Sequence, residues 1–303
     1  LQLPNGDYLV VYETDNSDIH YKRATQLADL SAAAEIAVVD TPDQDRHPYV
    51  VRSDDMLIFF WNRNAPDQWW YQRRRYSPTW DEADGSWLDA APVALAGPIA
   101  DNASSIVGDF HAVTDDTGAV WSVFRTAANT IAVVRLDPAA GVLEDWGGLT
   151  LGGAVVNQEP WLVIDGSAAV WVFWRSEDGV HYRRWDRAAD TWAAQATVPD
   201  TGPGFVDEAP VVLRDADAAL WLIWVQRGNG APSTDNNLLV RRRNPDTGAW
   251  GASRQVVTAP GADTKPVGLA GNAGTIWLFW QSARAGSTLN NYDIYAKSLI
   301  TAI

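Results

Sequence analysis

A chain of 303 residues with 38 acidic against 23 basic side chains, a formal net charge of −15, repels phosphate backbones and anionic surfaces, so nucleic acid is not expected as a partner. The absence of cysteine excludes disulfides and thiolate metal sites, and no apolar run approaches the roughly 20 residues of a membrane-crossing helix, so no membrane insertion is expected. What the composition does favour is aromatic packing, with 17 tryptophans.

The opening "LQLPNGDYLVVY" has neither a basic leader nor an apolar signal core. It reads as the middle of a longer protein with other domains, for which an extracellular or cell-surface location is slightly favoured. The apolar stretch ending at Tyr12 then returns as "LIFFWNR" at Trp61, "VWSVFRT" at Phe124, "VWVFWRS" at Trp174, "LWLIWVQ" at Trp224 and "IWLFWQS" at Trp280, spaced by 49, 63, 50, 50 and 56 residues. Around each anchor the same order recurs. A short strand A opens at Pro48, Pro160, Pro210 or Pro266. An Asp or Gly turn follows, then the aromatic strand B, a loop of variable length, a strand C ending in basic residues ("WYQRRR", "VHYRR", "LLVRRR"), a second turn and a weak strand D. "LADLSAAAEIAVV" is rich in alanine, but it occupies the place of strand D in the first unit.

Strand B is apolar on both faces, the pattern of a sheet covered on both sides. Six such small sheets satisfy this by stacking face to face in a circle. The prediction is an all-β, six-bladed β-propeller of four-stranded antiparallel blades, one domain over 1–303, with blades near 1–40, 41–100, 101–153, 154–201, 202–258 and 259–303. Tryptophans would fill the spaces between blades.

In such a fold the B to C and D to A connections share a loop face, and the A to B and C to D turns share the opposite, turn face. The fifth and sixth units carry the longest loops, "VQRGNGAPSTDNN" and "QSARAGSTLNN", which share a Ser-Thr-x-Asn pattern ending at Asn236 and Asn290. Near the start of strand A the chain repeats "DRHP", "NQEP", "DEAP" and "DTKP", so Asp45, Asn157, Asp207 and Asp263 are equivalent, with Asp109 near the third unit. Acids held close raise one another's pKa, which makes Asp45, Asp109 and Asp207 candidate general acids or bases; turn formation is the simpler account of a repeated Asp before Pro.

Arginines cluster at the ends of strand B, at Arg63, Arg125, Arg175, Arg227 and Arg284. With Asn236 and Asn290, Arg63, Arg175, Arg227 and Arg284 are the candidate ligand-binding residues, since guanidinium suits carboxylates; packing over tryptophan serves equally well. The basic ends of strand C are expected on the turn face, paired with Asp186 and Asp246. The four histidines lack metal-ligand spacing and no phosphate loop or nucleophile elbow occurs, so neither metal nor cofactor is expected. Asn102-Ala103-Ser104 fits a glycosylation acceptor.

The order "W-L-F-W-x-S-x-R-x-G" then "D-I-Y", with the C to D turns in "RWDRAADTW" (turn Asp186 to Trp192) and "RRNPDTGAW" (turn Asn244 to Trp250), resembles the repeat of sialidase-type, BNR-like propellers and their Asp box. Both turns are one residue longer than the box and lack its serine. The resemblance implies a six-bladed fold with ligands on the loop face. The family's arginine triad, Tyr–Glu nucleophile pair and Asp acid/base match no positions here, and its early arginine run is absent. The expected function is therefore noncatalytic recognition of a glycan or protein on the loop face. The alternatives are a glycoside hydrolase or lyase of sialidase-like type and a scaffold in a larger assembly.

Overall fold

A computed structural model describes residues 1–64, 67–76, 87–95, 110–126, 130–149, 157–202, 204–228, 236–257, 261–271, 275–284 and 293–300. Two compact units divide the chain, Leu1–Gly148 and Leu149–Ile303. Each holds three antiparallel meanders.

In the first unit, sheet 1 runs β1 (Tyr8–Glu13), β2 (Ile19–Ala24), β3 (Glu35–Val39). Sheet 2 runs β4 (Asp45–Ser53), β5 (Met56–Asn64), β6 (Asp67–Arg75), β7 (Val93–Ala94), and sheet 3 runs β8 (Phe110–Thr114), β9 (Val120–Arg125), β10 (Ile131–Asp137), β11 (Val142–Gly148). In the second unit, sheet 4 runs β12 (Gln158–Ile164), β13 (Val170–Ser176), β14 (Gly179–Asp186), β15 (Thr191–Trp192), and β16 (Ala196–Thr197) also pairs with β14. Sheet 5 runs β17 (Phe205–Arg214), β18 (Leu220–Gly228), β19 (Asn237–Arg243), β20 (Arg254–Gln255), and sheet 6 runs β21 (Gly261–Ala270), β22 (Thr275–Arg284), β23 (Asp293–Ile300).

The repeat therefore emerges as six sheets, but not all are four-stranded. Among the described residues sheets 1 and 6 hold three strands and sheet 4 holds five. In sheet 1 the place of strand A is taken by a short return in which Gln2 bridges Tyr8 and the Leu1 amino group donates to the Leu9 carbonyl at 3.0 Å. The alanine-rich segment of this unit forms a single 3-10 turn, Leu27–Asp29, before β3.

The apolar runs behave as their patterning predicts because strand side chains alternate. In β5, Ile58 and Phe60 enter one core with Phe110 and Phe124, while Leu57, Phe59 and Trp61 enter another with Tyr21. β18 divides likewise, Leu222 and Trp224 packing with Trp171 and Phe173, Ile223 and Val225 with Ile276 and Trp280. A strand shared between two cores has no wet face. Sheet 6 departs from this: Ile276, Leu278 and Trp280 are buried, whereas Trp277 is 45% exposed beside the exposed Val267 and Leu269. Leu269 lies directly across from Trp277 and Val267 across from Phe279, so one face of that sheet is open.

In sheets 3, 4 and 5 the tryptophan three residues before the strand B anchor is fastened on the turn face. Asp165 Oδ1 accepts the N–H groups of Ser167 (2.8 Å) and Ala169 (3.0 Å), and its Oδ2 accepts Trp171 Nε1–H at 2.7 Å. Asp115 with Trp121 and Asp215 with Trp221 repeat the arrangement at 2.8 Å each. The aspartate thus caps the turn and orients the indole six residues on.

Candidate functional site

The loop-face end of strand A is irregular in a way the prolines require. Proline has no N–H to give a ladder, so inside a sheet it belongs at a bulge. The register of β4, β12, β17 and β21 slips by one residue just there, between Arg46 and Tyr49, Gln158 and Trp161, Glu208 and Val211, and Thr264 and Val267. The residue before each proline is left-handed: His47, Glu159, Ala209 and Lys265, at φ 56°, 52°, 49° and 50°. For residues with a Cβ this stores on the order of 1 kcal/mol each, and a bulge re-aims the side chains that it carries.

Beside each bulge, the residue three before the proline, Asp in three sheets and Asn in one, accepts the indole N–H of the anchor tryptophan. Trp61 Nε1–H donates to Asp45 (2.8 Å), Trp224 to Asp207 (3.0 Å) and Trp280 to Asp263 (3.0 Å), while Trp174 donates to the Asn157 carbonyl oxygen (3.0 Å). The acceptors are buried, with Asp45 at 0% and Asp207 at 3% exposure. The sequence carries the same correlation: Phe124, which has no N–H to give, stands 17 residues after Val107 rather than after an acid.

The strand B arginines do not share a position. Arg63 lies two residues past its anchor tryptophan, so alternation puts it on the same side, where it chelates Asp45 at 2.8 and 3.1 Å, pairs with Asp43 at 3.3 Å and lies 4.8 Å over Trp70. In sheet 5 that role falls to Gln226, whose amide donates to Asp207 at 2.7 Å. Asp207 also accepts the Gly202 N–H at 2.9 Å; burial raises its pKa, against the pull of these hydrogen bonds and of Arg175. Arg175 lies only one residue past Trp174 and reaches the other side.

There, in the second unit, it meets residues from two other strands. Arg175 lies 3.8 Å from Glu159 of β12 and 3.7 Å from Glu208 of β17. Glu159 also accepts the Ala209 N–H at 2.7 Å, which fixes one bulge to the next. Glu159, Glu208, Val225, Thr264, Lys265 and Gln281 line a cavity of about 380 Å³, a size that holds a small ligand. Two carboxylates and an exposed ammonium share this space, and the Arg175 guanidinium lies beside the carboxylates. The pair distances exceed hydrogen-bonding reach, so these contacts tie neither carboxylate to the guanidinium by a direct hydrogen bond.

Of the residues the sequence proposes, Arg175 is brought into this cluster, while Asp45, Asp207 and Arg63 lie in the buried latches beside the bulges. Arg227 is half-buried opposite Val206. Asn236 is 4% exposed, its side-chain oxygen without a hydrogen-bond partner among the described residues, and its backbone carbonyl accepts the Asp263 N–H at 3.3 Å. Arg284 ends β22 opposite Gly261, and Asp109, Asn290 and the Asn102 acceptor lie outside the described residues. Glu159, Glu208 and Lys265 escaped the sequence reading although "NQEP", "DEAP" and "DTKP" display them. Their signal was the variable pair of letters between the acid and the proline.

On the turn face the expected partners of the strand C arginines are corrected. Arg184 lies 3.7 Å from Asp165 and Arg242 3.3 Å from Asp215, both acids of A to B turns. Asp186 instead accepts its own turn N–H groups from Ala188 and Ala189, and Asp246 forms no ion pair among the described residues.

No family model and no curated protein matches this chain. Among solved structures it is similar to a protein of unknown function from Dyadobacter fermentans, at 12% identity over 98% of this chain and 92% of that one, with a TM-score of 0.62. An ulvan lyase of polysaccharide lyase family PL25, bound to GlcA(1-4)Rha3S, matches at 9% identity over 99% and 82%, with a TM-score of 0.64. An exo-β-1,3-galactanase from Phanerochaete chrysosporium matches at 12% identity over 91% and 60%, with a TM-score of 0.50. Together with the six repeated sheets, these likenesses put the chain in the six-bladed β-propeller class, similar in fold to enzymes that act on polysaccharides.

Proposed function

We propose that the loop-face cluster of the second unit binds an acidic polysaccharide and cleaves it by elimination at a uronate. The observation that carries this reading is the company kept by the two glutamates: Arg175 lies within 3.8 Å of both, and Lys265 lines the same cavity. A hydrolase needs two carboxyl groups and no cation. An elimination needs a cation as well, because the proton beside a carboxylate becomes labile only when that carboxylate is neutralised. In the proposed roles Arg175 holds the uronate carboxylate and Glu208 removes the C5 proton. The electron pair left at C5 becomes the C4–C5 double bond, the C4–O bond breaks, and Lys265 gives a proton to the departing oxygen. Glu159, tied to the Ala209 N–H, positions Arg175. The fold likeness to an ulvan lyase supports the choice of substrate class by analogy only.

The test is incubation with ulvan and, separately, with uronate-free arabinan and galactan. An unsaturated uronate product from ulvan alone, reduced at least about 100-fold in kcat by Glu208→Gln and by Lys265→Met, is the expected result. New reducing ends without unsaturation would move the reading to hydrolysis. The second reading, noncatalytic recognition, is favoured by the burial of Asp45 and Asp207 as tryptophan acceptors, which leaves neither open to a substrate. It is the outcome if ulvan is retained in affinity electrophoresis without any product.

A further inference from the structure

The turn face of the second unit holds a larger cavity, of about 600 Å³, between the A to B turns of sheets 4 and 5 and the C to D turn of sheet 5. Its wall is the indole of Trp171, with Arg243 stacked 4.4 Å above the ring and Arg184 at 5.7 Å. Arg184 is occupied, donating to Ser167 Oγ at 3.2 Å and lying 3.7 Å from Asp165. Arg243 is not. Its guanidinium has no hydrogen bond or ion pair among the described residues, and its Nε is buried without a partner.

Comparison with sheet 2 shows that this is not the habit of the position. Arg74 and Arg243 are equivalent, pairing with Leu57 and Leu220, each four residues before its anchor tryptophan. Arg74 also lies over rings, Tyr21 and Trp87, but it is 4% exposed and donates to the Tyr21 hydroxyl. Arg243 instead opens into a cavity, and Gly248, at φ 70°, leaves room for it: a Cβ there would lie 2.8 Å from its Nη2. Desolvation depresses the Arg243 pKa, so a ligand anion would restore what burial removes.

We infer that this cavity is a binding site for a carboxylated sugar unit, its carboxylate forked by Arg243 and its hydroxyls held by Asp246 and Thr247. A guanidinium with five fixed N–H donors suits a planar carboxylate. The carboxylates of Asp165 and Asp246 on the same wall repel polyanions, which selects a singly charged ligand whose hydroxyls can donate. Asp165 is already saturated by its turn, whereas the exposed Asp246 carboxylate has free lone pairs and the Thr247 hydroxyl keeps a hydrogen to donate. The site lies at the opposite end of the strands from the Glu159–Glu208 cluster. It shares with the elimination reading only the class of sugar.

Calorimetric titration of the full chain with D-glucuronate, D-glucose and acetate tests it. Glucuronate is expected to bind at least about tenfold more tightly than either control, and Arg243→Leu to lose at least about tenfold in affinity, the order of one charge-assisted fork. Asp246→Ala, in an exposed turn, is expected to weaken glucuronate severalfold without changing acetate, and serves if Arg243→Leu does not fold. Acetate binding as tightly as glucuronate would reduce the cavity to an ion trap and overturn the inference. So would glucuronate affinity unchanged in both variants, or affinity lost in Glu208→Gln with both turn-face variants intact, which would put the sugar on the loop face.

Discussion

Asp165 and Asp207 belong to the same unit, each accepts the indole N–H of a strand B tryptophan, and their carboxyl groups are driven in opposite directions. Burial raises Asp165, but hydrogen bonds from the Ser167 hydroxyl, Trp171, and the Ala169 and Ser167 N–H groups outweigh it and hold the pKa below the ordinary aspartate value. Burial also raises Asp207, and there Gln226, Gly202 and Trp224 do not make up the difference. The contrast shows that the same tryptophan latch has been built twice with different margins. At the turn face the chain supplies a donor at nearly every lone pair of a half-buried acid. At the loop face it keeps a deeply buried acid with three donors, beside a bulge whose residues remain strained.

Truncation should separate the two latches most widely. Asp207→Ala leaves Trp224 Nε1 and the Gly202 N–H as buried donors without an acceptor and takes from Gln226 Nε2 one of its two, the Asp200 carbonyl remaining, a cost of about 3 kcal/mol. Asp165→Ala frees turn N–H groups that water can reach, and about 2 kcal/mol is expected. Urea unfolding of both variants measures the difference; a smaller loss at Asp207 would mean that its burden of burial exceeds the worth of its bonds. Replacing the donors instead gives a smaller step. Trp224→Phe removes one bond and part of a ring that is 0% exposed, for about 2 kcal/mol, whereas Trp171→Phe, bordering a cavity, should cost about 1 kcal/mol. The native Phe124 shows that the fold accepts phenylalanine at this anchor. The reverse ranking in the same assay would make the turn-face latch the stronger.

The sixfold repeat was legible because period-two patterning and proline position are local properties, and β5 and β18 sort their side chains as the letters demand. Trp277 was misread as covered, because whether a sheet face meets another sheet is not written in its own strand. The acids before the prolines were visible as a pattern, yet their partners were not: the bond from Trp224 to Asp207 spans 17 residues and depends on a bulge that shifts the register. For the same reason the strand B arginines looked equivalent. Arg63 and Arg175 differ by one position relative to their anchors, and one position in a strand is the opposite face. Glu159, Glu208 and Lys265 come together only because three bulges turn them toward one cavity.

The finest test of the comparison is the pH dependence of stability. Asp165 and Asp115, both held below the ordinary aspartate value, bind a proton less readily folded than unfolded. Their contribution is complete above that value and is lost as pH falls through their depressed pKa values. Asp207, held above the ordinary value, binds its proton more readily folded, so its contribution is greatest below that value and is lost as pH rises through the raised pKa. Asp207→Asn keeps an oxygen for Trp224, as Asn157 does for Trp174, and removes the titration. Plotted as urea midpoint against pH, that variant should therefore lose less stability than wild type on the rise above the ordinary aspartate value, with the acid limb unchanged. Asp165→Asn should do the converse and flatten the acid limb alone. Identical profiles for the two variants would mean that burial and donor count act equally at both ends of the strands, and the distinction between the latches would fail.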